Sequence, residues 1–165
     1  KMEAAKEALI KAMESYFGAD AKRINHAHRV TAYAEQLMGM EGGDYQTVIG
    51  AAVLHDIGIH QAEKKYGSPG GKYQEIEGPP IAREILNGLH FGQSQIDEIC
   101  EIIAHHHSPG KINTVNFKIL YDADWLVNLR DEYDIQDGDK LVNIIERVFL
   151  TESGRSLARQ TYLPG

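Results

Sequence analysis

His55 and Asp56 stand side by side at the end of an apolar run, Ala51, Ala52, Val53 and Leu54, and Gly58 follows closely. An imidazole and a carboxylate are costly to bury without partners. At the end of the most apolar helix-like segment of the chain, this pair points to a purpose. The chemistry both groups share is binding a divalent metal ion. The sequence offers further groups of the same kind in His26, in Asp122 and Asp124, and in the adjacent His105, His106 and His107. With a single cysteine, Cys100, no thiolate set for a structural zinc site exists and no intrachain disulfide can form.

These residues have to be carried by helices. Residues 2 to 17 read as a first helix, with Leu9, Ile10, Met13 and Phe17 at helical spacing. A second runs from about 21 to 38 with Asp20 as its cap, and a third from about 45 to 56 behind Asp44. The third is apolar nearly all round and is expected at the centre. Residues 57 to 78, rich in glycine, read as a long loop with at most a helical turn, and loops of that length are often functional. Pro79 and Pro80 are expected to open a fourth helix, and Ser94 to cap a fifth that ends near 107. Helices from about 114 to 130 and 138 to 151, and a short one within 154 to 163, complete the chain. No strand pattern, repeat or linker interrupts it. The expected class is all-α: a single domain over 1–165, with a motif-bearing core at about 20–130 and C-terminal helices over 131–165, and a metal site between helices.

Helical periodicity then selects which polar residues face inward. His26 falls at the edge of the stripe formed by Ile24, Ala27, Val30, Ala34 and Leu37, whereas His28 points away. A hydrogen-bonded histidine at the core border is the plainer account of His26 taken alone. In the fifth helix, His106 continues the face of Ile96, Ile99 and Ile103, His107 leans inward, and His105 falls with Glu98 and Glu101 on the wet side. The plainer account there is a helix end that favours cationic histidine. Asp122 and Asp124 border the apolar face of the sixth helix on opposite sides, and periodicity does not choose between them. His26, His55, Asp56 and one of those two aspartates would form a nitrogen–oxygen site from packed helices.

That order of residues resembles the HD superfamily of metal-dependent phosphohydrolases. Arg23 to Val30 looks like the family's first motif, and Ala51 to Gly58 like its signature. Ile119 to Leu126 is similar to its last motif, whose ligand is the aspartate directly after alanine, so the resemblance selects Asp124. Ile102 to His106 resembles the histidine-bearing helix between them. The match spans about residues 23 to 130. It departs from the branch that cleaves cyclic dinucleotides, because Ser108, Pro109, Gly110 and Lys111 replace a Gly-Tyr-Pro motif. Where some members place another histidine ligand, this chain has Gln74, Glu75 and Glu77. One metal is therefore expected, with Glu75 or Glu77 as a candidate substitute ligand for a second.

The resemblance implies a metal-dependent phosphohydrolase acting on a nucleotide or another small phosphorylated metabolite. Its ligands would be His26, His55, Asp56 and Asp124, holding Mn, Mg, Fe, Co, Ni or Zn. Asp56, His106 and His105 would take part in proton transfer. His107, Lys64, Lys72 and Arg29 would hold the substrate, with Lys65 and Arg23 as further candidates. Two alternatives remain: a non-catalytic ligand-binding module, usually marked by loss of the His-Asp pair, and a di-iron oxygenase, which needs more than four ligands.

Bulk composition fits these expectations. The 165 residues are 42% hydrophobic and 25% charged, ordinary for a globular domain. A net charge of −7 argues against a broad nucleic-acid or anionic-membrane surface. No apolar stretch reaches the roughly 18 residues of a membrane span. The first residues lack a signal-peptide pattern, so a cytoplasmic location is the expectation. Met2, Met13, Met38 and the first helix could serve a homodimer contact, though a place in the core is the plainer account.

Overall fold

The computed structural model describes residues 2–133 and 136–163. Nine helices and no strand occur among them: α1 Met2–Phe17, α2 Ala21–Glu41, α3 Tyr45–Leu54, α4 Ile59–Tyr66, α5 Gly71–Gly88, α6 Gln93–His105, α7 Val115–Glu132, α8 Gly138–Val148 and α9 Glu152–Tyr162. The class is all-α, as the periodicity predicts. None of these helices is long and apolar enough to cross a membrane.

The third helix is central because its sequence leaves it no wet face. Every residue from Thr47 to Leu54 is buried, and α3 packs against α1, α2, α6 and α7. Asp44 caps it, accepting from Thr47 N at 3.0 Å. Asp20 caps α2 in the same way, accepting from Arg23 N at 3.2 Å. Each of these caps satisfies a backbone donor that the first helical turn leaves free. On α2, Ala27, Val30, Ala34 and Leu37 form the buried stripe, packed along α7. Met13 is buried and Met38 packs against the core, while Met2 is exposed.

The stretch from 57 to 78 is not a long loop. It contains α4 and the first two turns of α5, and Pro79 and Pro80 lie inside α5 rather than at its start. The reason is a buried stripe with four-residue spacing, Gln74, Gly78, Ala82 and Leu86, that runs through the proline pair and packs on α6. Proline removes backbone donors from a helix interior. Here packing on both sides of the pair carries the helix through, and the Cys100 thiol donates to the Pro79 carbonyl at 3.5 Å. Gly58 lets the turn after α3 approach α5: a Cβ there would lie 2.5 Å from Gly78 N. The fifth predicted helix starts earlier than expected. Its cap position is Gly92, and Ser94 lies inside α6.

The α8–α9 corner is tied to α7 by Asp122. Its carboxylate accepts from Leu150 N and Thr151 N, both at 2.9 Å, and from the Thr151 hydroxyl at 2.7 Å. The chain passes so close that a Cβ on Gly154 would stand 2.3 Å from Asp122 Oδ2.

Candidate metal centre

Three helices deliver four polar side chains to one point. α2 carries His26, His55 caps the C-terminus of α3, Asp56 lies in the turn that follows, and α7 carries Asp124. The Nε2 atoms of His26 and His55 are 3.2 Å apart. Asp124 Oδ1 lies 3.0 Å from His26 Nε2 and 3.3 Å from His55 Nε2. Asp56 Oδ2 is 3.4 Å from each imidazole. Ligands about 2.1 Å from one ion stand roughly 3.0 to 3.4 Å apart in octahedral or tetrahedral arrangements, so these donors fit a divalent cation.

The backbone prepares His55 for that task. Its Nδ1–H donates to the Ala52 carbonyl at 2.8 Å, which turns Nε2 toward the carboxylates. The ring is 0% exposed. Burial alone would depress its pKa, but the Asp56 and Asp124 carboxylates outweigh this and hold it well above the ordinary value. The reverse holds for Asp124. Burial would raise it, yet His55 and His26 keep it well below the usual carboxylate range. Asp56 is likewise held well down against burial, chiefly by His55.

A second group adjoins the first. Asp56, His106 and His107 each offer a donor atom, all within 4.8 Å of one another. His106 is buried and repeats the tautomer device: Nδ1–H donates to the Ile103 carbonyl at 2.6 Å, and Nε2 faces Asp56 Oδ1 at 3.5 Å. The two oxygens of Asp56 are thus divided between the two groups. Gln74 orients the second one. Its amide nitrogen donates to the Pro69 carbonyl at 2.7 Å, and its Oε1 lies 3.0 Å from His107 Nε2 and 3.3 Å from His106 Nε2. His107 keeps solvent access as a residue, but its ring lies 4.0 Å from that of His106. Desolvation of the ring, then the neighbouring His106, pushes its pKa down to about 4.

The centre opens into a cavity of about 720 Å³. One side bears Lys22, Arg23, Asn25 and Arg29 from α2, the other Asn128, Asp131 and Glu132 from α7. Arg29 spans the two helices, donating to Asp131 at 3.1 Å. Lys22 has no ion-pair partner among the described residues.

A model of the HD domain matches residues 23–129. The chain belongs to the HD domain family. The structure is similar to the crystal structure of a predicted HD superfamily hydrolase from an uncultured Thermotogales bacterium, with a TM-score of 0.68 and 26% identity over 93% of this chain and 83% of that one. A comparison with curated proteins finds no match.

Within this HD domain, the fold resolves what periodicity left open. Asp124 joins His26 and His55, whereas Asp122 is a fastener for the α8–α9 corner. His28 faces away and pairs with Glu14 at 2.8 Å. Of the three adjacent histidines, His106 and His107 reach the site. His105 does not: its ring bonds the Glu101 carbonyl at 3.1 Å and lines neither this cavity nor its neighbour. Lys64 and Lys72, read as phosphate holders in a loop, sit exposed on α4 and α5 and line neither cavity. Lys65 pairs with Glu77 at 3.3 Å, away from both groups. Arg29 and Arg23 do reach the cavity, joined by Lys22. Glu75 lies outside both groups of donor atoms and is engaged with the chain instead. It accepts from His107 N at 2.9 Å and from the Ser108 hydroxyl at 3.0 Å, fixing the turn that presents His107. The residue missed as a site member is Gln74, and its signal was available: it starts the four-residue stripe through Gly78, Ala82 and Leu86.

Proposed function

We propose that this HD domain is a metal-dependent phosphohydrolase that cleaves a phosphate ester of a nucleotide or another small phosphorylated metabolite. One observation carries the reading: two imidazoles and two carboxylates converge at ligand spacing beneath a cavity whose α2 side bears Lys22, Arg23 and Arg29. His26, His55, Asp56 and Asp124 would hold a divalent cation, which would supply Lewis acidity toward a phosphoryl oxygen and lower the pKa of a water. The α2 cations attract and orient the anionic substrate. Asp56 takes up a proton from the attacking water through its Oδ1, which faces His106. His106 is placed to protonate the leaving oxygen. A proton on its Nε2 rests between Gln74 Oε1 and Asp56 Oδ1, and the Ile103 carbonyl keeps the ring from turning. His107 lines the cavity beside it and contacts the substrate.

The test is phosphate release from a panel of nucleotides and sugar phosphates with Mn, Mg, Co and Ni. Turnover that disappears on chelation and returns with metal is the expected result. No turnover by protein shown to be metal-loaded would overturn the assignment and leave a non-catalytic binding module.

The Asp56, His106 and His107 group favours a second reading, in which Asp56 is shared between two ions. His106 would then be a ligand rather than an acid. Elemental analysis separates the two: one metal per chain supports the acid role, two per chain the shared carboxylate, and two irons would bring oxidative chemistry forward.

A further inference from the structure

A recess of about 220 Å³ opens beside the main cavity. The two share His107, Asp124, Asn128 and Glu132, so they meet at the metal centre. Their chemistry differs. The main cavity adds Lys22, Arg23 and Arg29, whereas the recess adds Tyr121, Trp125 and Tyr133. Among the described residues no lysine or arginine lines the recess, and two of its lining residues, Asp124 and Glu132, are carboxylates. A phosphate would be repelled there; a neutral ring would not.

The aromatic wall is built. Tyr121, Trp125, Asn128 and Glu132 recur at helical spacing along one face of α7. The Trp125 and Tyr133 rings stack with centroids 5.6 Å apart and planes 27° from parallel. Neither enters the core fully: Trp125 is half-buried and Tyr133 is 44% exposed. Tyr121 and Trp125 pack against the core yet also line the recess, and Tyr133 stands outside the core. The Asn128 side chain has no hydrogen-bond partner among the described residues. Its amide offers a donor and an acceptor together, the pair that the edge of a nitrogen heterocycle requires. A cavity of about 150 Å³ suffices for a benzene ring, so this recess has room for one heterocycle.

We infer that this recess is a subsite for a planar heteroaromatic ring, the base of a nucleotide whose phosphate lies at the metal centre. The inference rests on the phosphohydrolase reading for the phosphate end and on Tyr121, Trp125, Asn128 and Tyr133 for the ring. Base–aromatic stacking tolerates any base, because each has a π-face, so the subsite selects nucleotides over sugar phosphates more strongly than one base over another.

Trp125 is the only tryptophan of the chain and reports on the recess directly. The experiment titrates the metal-loaded full chain and follows tryptophan fluorescence, corrected for ligand absorbance. The probes are the non-hydrolysable phosphonate analogue of adenosine monophosphate, adenosine, ribose 5-phosphate and inorganic phosphate. Saturable quenching by the first two and none by the last two is expected. Tyr133→Ala should weaken binding of the phosphonate at least tenfold with metal content unchanged. No quenching by the adenosine probes, an equal response to ribose 5-phosphate, or unaltered affinity in Tyr133→Ala would overturn the subsite. Ring binding without turnover of any phosphate ester would support the subsite while removing the phosphohydrolase reading. Equal hydrolysis of adenosine monophosphate and ribose 5-phosphate, without quenching, would do the opposite.

Discussion

Asp122 and Asp124 lie two residues apart on α7, and their carboxylates serve unrelated ends of the molecule. Asp124 Oδ1 stands 3.0 Å from His26 Nε2 in the metal centre. Asp122 accepts three hydrogen bonds from Leu150 and Thr151 at the α8–α9 corner. Two residues turn a helix by about 200°, so neighbours of identical chemistry reach opposite partners. Burial pushes the Asp122 pKa up to about 6, despite those hydrogen bonds, whereas the imidazoles hold Asp124 well down against burial.

Exchanging either for alanine should separate the two roles. Asp124→Ala should abolish metal binding in isothermal titration while the metal-free protein stays folded. Asp122→Ala should keep metal affinity within a few-fold but strand three donors, at about 3 kcal/mol in total. That corresponds to a melting temperature lower by roughly 10 °C for a chain of this size. Loss of metal binding in Asp122→Ala alone would mean that the ligand has been misassigned.

Proton release should accompany metal binding. In the metal-free protein, His55 holds its proton to well above the ordinary histidine value, after burial is outweighed by Asp56 and Asp124. At neutral pH a metal must displace that proton, so apparent affinity should fall as pH falls. Titrations in buffers of different ionisation enthalpy would count the protons. For the metal-free fold the sign runs the other way. The His55 contribution is complete below its unfolded value of about 6.5 and is lost as pH rises through the folded one. Thermal melts of chelated protein should therefore decline toward alkaline pH, and metal should remove that decline.

Gly58→Ala tests the close approach behind the metal centre. The new Cβ would meet Gly78 N at 2.5 Å, Gly78 Cα at 2.8 Å and the Gln74 carbonyl at 3.1 Å, all backbone atoms. No rotamer change relieves such contacts, so a loss of roughly 2 kcal/mol is expected. Because Asp56 and Gln74 flank this contact, metal affinity should weaken as well. A variant with unchanged melting and affinity would show that α5 can shift freely.

His106→Ala should lower kcat for phosphate release by about a hundredfold or more, the ordinary range for removing a positioned proton donor. His105→Ala, Lys64→Ala and Lys72→Ala should stay within about twofold, because none of these side chains lines either cavity. Steady-state kinetics with one shared substrate would check all four. A large loss in His105→Ala would reverse the assignment within the histidine run.

Much of this centre was legible from residue order. Periodicity placed His26 at the border of the α2 stripe and His106 on the face of Ile99 and Ile103, and both reach the site. It failed where the buried positions are not hydrophobic. In α5 the stripe begins with Gln74 and Gly78, residues that read as polar and as a turn, and the proline pair reads as the start of a helix rather than its middle. The cations were misplaced for the same reason. Lys64 and Lys72 were set in a loop free to reach a phosphate, whereas two helices fix them at the surface.

The sequence by itself determined most of the helices and their order, the burial of α3 all round and the set of groups able to bind a metal. Those are local properties, set by spacing along one chain and by the cost of burying charge. The tertiary structure alone decided that Asp122 fastens the α8–α9 corner, that Gln74 meets His106 and His107, and that Trp125 and Tyr133 stand beside the same centre. Such matters depend on how α2, α3, α5 and α7 are rotated against one another, and that rotation is set by packing among residues far apart in the chain.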